Sequence, residues 1–308
     1  MIIRHYEKGD EVQITKLFED VFHQTMTVEQ WKWKYTGQGL DDNKSVVAIN
    51  ERGELAGHFG AIALRAWCMN KYEMAYQAVD QMIDERYRGG LQRKGLYFHL
   101  GSFYWRNIKS FKYGFIDLNH MRLGKIVGFF EDCISVKDHS LNIRKDSNSL
   151  FNLELMDWDD KQIDILWDKV HKGLGWSIIR DREFLKWRFK TNPFYTHKLY
   201  GLWQGHNNGL LGWIVVKERD DTLLLMDMLF IDEYLEILFK KVISMAYSED
   251  KKRIVVWLNN RYDERLSAQG FESVERSTYI PNIIKAKVCN NKEMNRNFYF
   301  TMGDTDFM

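Results

Sequence analysis

The sequence predicts a mixed α+β protein made of two similar units, each a mostly antiparallel twisted sheet flanked by helices. Three observations carry this reading. Apolar residues alternate, or recur at helical spacing, in short runs separated by turn residues. The order strand, helix, strand, helix, Gly-Phe, strand occurs twice, which points to internal duplication. The chain has 308 residues, 45% hydrophobic and 15% aromatic, with only two prolines, a globular composition long enough for about two domains.

The first unit opens with a strand from Ile2. An amphipathic helix follows, in which Val12, Ile14, Leu17, Phe18, Val21 and Phe22 recur at helical spacing behind a capping Asp10. A short helix is expected over 27–35. Residues 45–49, a turn at 50–53 and residues 55–67 read as a β-hairpin, and 73–83 as the next strand of the meander. A basic, glycine-rich loop at 86–95 then leads into a helix with Leu96, Leu100, Phe103, Tyr104, Ile108 and Phe111 on one face. After it come a strand at 113–118, a helix at 120–127, Gly128-Phe129 and a strand at 130–136.

The polar stretch 139–164 reads as the link between halves. In the second unit Leu210-Leu211-Gly212 answers Leu55-Ala56-Gly57, and Gly270-Phe271 answers Gly128-Phe129. Its tail runs strand 223–231, helix 232–246, strand 253–258, helix 262–268 and strand 272–280. The expected organisation is a first domain over 1–140, a linker over 141–165 and a second domain over 166–308.

Forty-four basic and 43 acidic residues give a net charge of +1 without a basic stripe, so nucleic acid is not an expected partner. Stretches free of Asp, Glu, Lys and Arg fall far short of the roughly 20 residues that span a bilayer, and no membrane association is expected. The N-terminal residues meet Asp10 and Glu11 before an apolar run of signal-peptide length forms. Cys68, Cys133 and Cys289 match no CxxC or metal-ligand spacing. A cytoplasmic protein without a metal is the expectation.

The 86–95 loop is where the two halves differ. Glycines at a helix start let the backbone approach an anion, while unpaired first-turn N–H groups and the helix dipole favour negative charge. Its expected ligand is a phosphate. In the second half Asp227 is followed, without such a loop, by Asp232-Glu233 and a helix. One active and one degenerate unit follow from this.

Gln92-Arg93-Lys94-Gly95-Leu96-Tyr97, set between a strand and a helix, resembles the Gln/Arg-x-x-Gly-x-Gly/Ala pyrophosphate loop of the Gcn5-related N-acetyltransferases (GNATs), departing at the last position. Arg86-Tyr87-Arg88-Gly89 and Gly128-Phe129 add to the likeness, which covers roughly residues 2–137 and extends to a tandem-GNAT layout for the whole chain. The resemblance implies acyl-CoA as co-substrate, held by Val79, Gln81, Met82, Ile83, Arg88, Gln92, Arg93, Lys94, Gly95, Leu96 and Asn119, where two strands splay apart. It implies direct transfer without an acyl-enzyme. Asp80 interrupts an uncharged run on the strand where the family often carries an acid and is the candidate base, with His58 and His120 as alternatives. A structural role for Asp80 stays open, because Asp227 holds the matching place in the copy without the loop. The family's usual tyrosine is missing between Asn119 and Gly128, leaving water, Tyr97 or Tyr104 as proton donors.

Residues 182–193 and 298–306 are similar to segments of tandem-GNAT proteins that N-acylate nucleotide-linked amino sugars for bacterial surface polysaccharides. That resemblance implies acetyl- or 3-hydroxybutyryl-CoA as donor and a dTDP- or UDP-linked amino-deoxy sugar as acceptor. Arg182, Trp187, Arg188 and Tyr195, with Trp176 and Arg180 nearby, offer the aromatic faces and cations such an acceptor needs; alternatively Trp187, Phe184 and Phe189 pack a short helix whose solvated face carries Arg182 and Arg188. Two other functions remain: acetylation of a different small amine, such as an aminoglycoside, and a CoA-binding module without turnover.

Overall fold

The computed structural model describes residues 1–40, 42–88, 95–143, 152–204, 209–283 and 297–306. In chain order the elements are β1 (Ile2–His5), α1 (Glu11–Phe22), α2 (Val28–Thr36), β2 (Val46–Ile49), β3 (Leu55–Cys68), β4 (Lys71–Ile83), α3 (Leu96–Asn107), β5 (Phe111–Tyr113), β6 (Ile116–Asp117), α4 (Leu118–Ile126) and β7 (Phe130–Asn142). There follow β8 (Asn152–Leu155), α5 (Gln162–Val170), β9 (Trp176–Ile178), α6 (Arg182–Leu185), β10 (Lys198–Trp203), β11 (Leu210–Arg219), β12 (Thr222–Phe230), α7 (Leu235–Ser248), β13 (Arg253–Val256), α8 (Asp263–Ala268) and β14 (Glu272–Ile283). Two compact units result. The first takes Met1–Arg65, Glu73–Ser135 and Ser277–Asn291, and the second Ala66–Tyr72, Val136–Arg276 and Lys292–Met308.

The first unit is a sheet of order β1-β2-β3-β4-β5. β1 and β3 both pair antiparallel with β2, while β5 joins β4 in parallel. α3 lays Leu100, Tyr104 and Trp105 against Val46, Phe59 and Ala61 of the sheet, as its apolar spacing requires. Thr27 and Gln30 form a reciprocal cap at the start of α2, which satisfies two backbone donors that the helix itself leaves unpaired. α2 then buries Trp31, Lys34 and Tyr35.

Phe111, expected on the apolar face of the helix, instead opens β5. α3 ends at Asn107, and Ile108 is already extended at φ −100°, ψ 114°. The single strand expected over 113–118 is two: β5 stays with β4, and β6 pairs with β14 through Ile116↔Tyr279 and Asp117↔Thr278. Gly114 lies between them, and a Cβ there would stand 2.9 Å from the Ala78 carbonyl oxygen. That close approach is open only to glycine.

The second sheet has the strand order β6-β14-β7-β13-β12-β11-β10-β8. β8–β10, β10–β11, β11–β12 and β7–β13 pair antiparallel, and β12–β13 parallel. The stretch 141–165 therefore holds more than a connection: it carries the end of β7, all of β8 and the start of α5. β8 escaped the hydrophobic pattern because it is an edge strand that buries little, with Leu155 70% exposed. β9, β10 and the α6 turn also carry no strong periodic signal. After α6 the backbone widens over Lys186–Lys190, with Thr191 N–H donating to the Lys186 carbonyl at 2.9 Å.

Candidate active site

The first unit contains a parting of two parallel strands. β4 and β5 pair through Ala75↔Phe111, Tyr76↔Lys112 and Gln77↔Tyr113. β5 then ends, while β4 continues through Val79, Asp80, Gln81, Met82 and Ile83. The ladder stops with it, so the β5 side of this stretch must find other partners for its backbone groups. Val79 and Met82 are buried in the sheet; Asp80, Gln81 and Ile83 are half-buried. The Gln81 Oε1 is buried without a hydrogen-bond partner among the described residues.

Beyond β4 the chain makes a short turn at Glu85–Tyr87, closed by the Asp84 carboxylate accepting from Arg86 N–H. Arg88 donates from Nε to the Ile83 carbonyl at 2.9 Å and is exposed. Gln92, Arg93 and Lys94 lie outside the described residues. Gly95 is the N-cap of α3 at φ −69°, ψ 178° and has no side chain to cap the helix. Phe98 N–H already donates to the Gly95 carbonyl at 3.0 Å, so the N–H groups of Leu96 and Tyr97 are the first-turn donors that the missing side-chain cap leaves to a ligand or solvent. Asn119 is exposed in the first turn of α4.

Asp80 lies in the left-handed region at φ +44°. That conformation costs most side chains of order 1 kcal/mol and suits Asp better than a branched residue. Lys34 Nζ reaches both carboxylate oxygens, at 2.8 and 2.9 Å, and the Tyr35 hydroxyl donates to Oδ2 at 2.7 Å. His58 on β3 donates from Nδ1 to the Asp80 carbonyl at 2.9 Å, since a carbonyl only accepts. This leaves the His58 Nε2 as the bare nitrogen of a neutral ring, fully buried and without a partner among the described residues.

Burial holds His58 neutral and pulls its pKa down to about 4, against the opposing pull of Asp80. The unfolded chain thus takes up a proton between about 6.5 and 4 that the folded ring refuses. The resulting stabilisation is present above pH 6.5 and is lost as the pH falls towards 4, up to about 3 kcal/mol. In urea titrations at pH 7.5 and 4.5, His58→Gln should show a shallower pH dependence than wild type by about 2–3 kcal/mol; parallel dependences would refute this account.

No family model matches the chain, and no curated protein does. Among solved structures that resemble it over 91% of its length is a conserved protein of unknown function from Enterococcus faecalis, described as a probable N-acyltransferase, with a TM-score of 0.66, 9% identity and 71% of its own chain covered. A GCN5-related N-acetyltransferase from Anabaena variabilis gives a TM-score of 0.66 at 14% identity and 72% coverage. Another, from Kribbella flavida, gives 0.63 at 10% and 69%. The chain has the GCN5-related N-acetyltransferase fold.

Within this GNAT fold, His120 and Tyr97 come together although 23 residues separate them. The Tyr97 hydroxyl and the His120 Nε2 lie 2.7 Å apart, bridging the starts of α3 and α4. Burial lowers the His120 pKa, and Asp117, whose carboxylate caps α4 through His120 N–H, partly opposes this. Burial also raises the Tyr97 hydroxyl. Tyr104, the other sequence candidate for a proton donor, is fully enclosed.

The residues expected to hold an acceptor do not form one surface. Arg182 is ion-paired to Asp164 at 2.7 Å. Trp187 is buried, and Arg188 is buried with its Nε donating to the Gly303 carbonyl at 2.8 Å. Arg180 is enclosed completely between Asp227 and Asp304. Tyr195 is 44% exposed, with Lys217 Nζ 3.1 Å from its ring centre.

Sequence reasoning passed over Lys34 and Tyr35. Lys34 and Tyr35 are neighbours on α2, where Trp31 and Tyr35 stack on one face. A lysine on an apolar helical face was the only sign that it has a buried partner.

Among the described residues, no group of three or more His, Cys, Asp or Glu is placed to hold a metal, and no helix is long and apolar enough to cross a membrane.

Proposed function

We propose that the chain is an acyl-CoA-dependent N-acyltransferase. The observation that carries this reading is the parting of β4 from β5 beside a long helix that begins at an uncapped glycine. Acyl-CoA brings an activated thioester; binding, orientation and charge compensation fall to the protein. First-turn N–H groups of α3 hold the pyrophosphate, assisted by the helix dipole and by Arg88. Residues 79–83 of β4 offer strand donors to the pantetheine arm and to the oxygen that becomes negative during attack. Aligning thioester and amine supplies much of the rate.

Three groups were candidates to accept the proton of the amine. The Asp80 carboxylate is already engaged by Lys34 and Tyr35, and His58 is enclosed and held neutral. His120 is half-buried and joined to a hydroxyl. The Tyr97–His120 pair is therefore assigned to accept the amine proton and to return one to the departing thiolate. Direct attack in a ternary complex needs no cysteine.

For the acceptor the proposal is the amine of a nucleotide-linked amino-deoxy sugar, with an acetyl or 3-hydroxybutyryl group transferred. Its support is the likeness of segments 182–193 and 298–306 in sequence. A cavity of about 320 Å³ in the second unit is lined by Tyr195, Lys198, Lys217 and Glu218 among others; Lys198 is paired there with Glu218 at 2.7 Å, and Lys217 lies over the Tyr195 ring, so an incoming diphosphate would have to displace these contacts.

The test is thiol release from acetyl-CoA and 3-hydroxybutyryl-CoA against dTDP- and UDP-linked amino sugars and aminoglycosides, with product masses recorded. One acylated sugar nucleotide is the expected outcome. Turnover of an aminoglycoside instead would replace the acceptor class, and CoA binding with no turnover on either panel would overturn the enzymatic reading.

A further inference from the structure

We infer that the C-terminal residues 298–304 are the permanent occupant of the second unit's coenzyme-type cleft, so that the chain takes one acyl-CoA, in its first unit. The acyl-CoA half of this statement rests on the function proposed above.

The second unit repeats the parting of strands. β12 and β13 pair in parallel from Thr222↔Arg253 to Leu225↔Val256. β13 then ends, and β12 runs on through Met226 to Phe230. As in the first unit, the facing backbone groups need partners. Here the chain supplies them itself. The Tyr299 hydroxyl donates to the Met228 carbonyl at 2.6 Å, on the β12 side. On the β13 side, Asn259 donates from Nδ2 to the Phe298 carbonyl at 2.7 Å. The tail is thus bonded to β12 and to the segment that follows β13. Gly303 packs so closely that a Cβ would stand 3.1 Å from the Met226 carbonyl oxygen.

The tail is also locked by charge. Arg180, with no exposed surface, donates to Asp227 on β12 at 2.9 Å and to Asp304 on the tail at 2.5 Å. Thr301 Oγ1 donates to the same Asp227 oxygen at 2.9 Å. Tyr299, Thr301 and Asp304 are all at most 2% exposed. A segment held in this way differs from a mobile terminus, because displacing it would strand two carboxylates and an arginine.

The helix that follows β12 is unsuited to phosphate. Asp232 and Glu233 stand just before α7 and Glu236 in its first turn. Arg265 is engaged by Asp232 and Glu236, at 2.8 and 2.6 Å. Acidic groups at a helix start stabilise the helix but repel a pyrophosphate.

Native mass spectrometry of the full chain with CoA, paired with amide hydrogen exchange, tests the assignment. One CoA per chain is expected, with new protection confined to residues 79–83 and the start of α3, and slow exchange over 299–304 with or without CoA. No bound CoA would overturn the acyl-CoA reading while leaving the tail assignment standing. Two bound CoA molecules, or faster exchange over 299–304 when CoA is added, would overturn the tail assignment and leave that reading intact. In Tyr299→Phe combined with Thr301→Ala, exchange over 298–304 should accelerate about tenfold, the equivalent of about 1.4 kcal/mol, with the CoA affinity within twofold of wild type. Unchanged tail exchange in this variant would also count against the assignment.

Discussion

Arg180→Ala lowers the stability of the second unit by about 3–5 kcal/mol at neutral pH. The guanidinium is fully enclosed and supplies hydrogen bonds to Asp227, Asp304, the Ser177 hydroxyl and the Ile178 carbonyl. It also lies 4.9 Å from the Tyr299 ring centre. Removing it leaves two buried carboxylates facing each other with no cation between them. Burial already pushes the Asp227 carboxyl upward, against the pull of Arg180. Without that pull Asp227 favours protonation still more, so the deficit of the variant should shrink as the pH falls from 7 towards 4.5. Adding Asp227→Asn should recover part of the loss at neutral pH. Urea midpoints at both pH values give the answer: a deficit under about 1 kcal/mol at pH 7 would show that the triad contributes little.

Gly95→Glu removes acyl-CoA binding without unfolding the first unit. At φ −69°, ψ 178° the position lies in extended backbone that any residue adopts, so the substitution introduces no backbone strain. A carboxylate at a helix N-terminus is itself favourable by about 0.3–1 kcal/mol, and the thermal midpoint should hold or rise slightly. The same carboxylate would occupy the place proposed for the pyrophosphate and repel it. The expected outcome is a loss of CoA affinity of at least about 100-fold, or roughly 2.8 kcal/mol, with kcat/KM falling in parallel. Gly95→Ala should lose far less, because it adds neither charge nor a competing acceptor. Calorimetric titration with CoA, beside a thermal melt of each variant, separates the effects; tight binding by Gly95→Glu would remove α3 from the coenzyme site.

The local features of the chain were readable in order. Helix α1 follows from its apolar spacing, the duplicated units from Gly128-Phe129 and Gly270-Phe271, and the start of α3 from a glycine loop after a strand. Each is a property of near neighbours in sequence, where spacing alone decides which side chains share a face. Strand β8 was missed for the converse reason: an exposed edge strand needs no apolar pattern. The site was legible in its frame and not in its contacts. Asp80 stood out as a charge in an apolar run, but the residues holding it, Lys34 and Tyr35, come from a helix far back in the chain.

The sequence by itself determined that there are two α+β units and that only the first has a glycine-led basic loop, because composition, periodicity and turn chemistry are local. It also marked Asp80 and Asp227 as corresponding positions. Only the tertiary structure decided what those acids do: each stands just beyond the end of a parallel strand pair and meets a buried cation, Lys34 in one unit and Arg180 in the other. It likewise made Arg180 and Arg188, read from the sequence as cations for an acceptor, internal ties for the C-terminal residues. The physical reason is the same throughout. A buried charge must be matched by a partner within about 3 Å, and which partner reaches it depends on how distant segments pack.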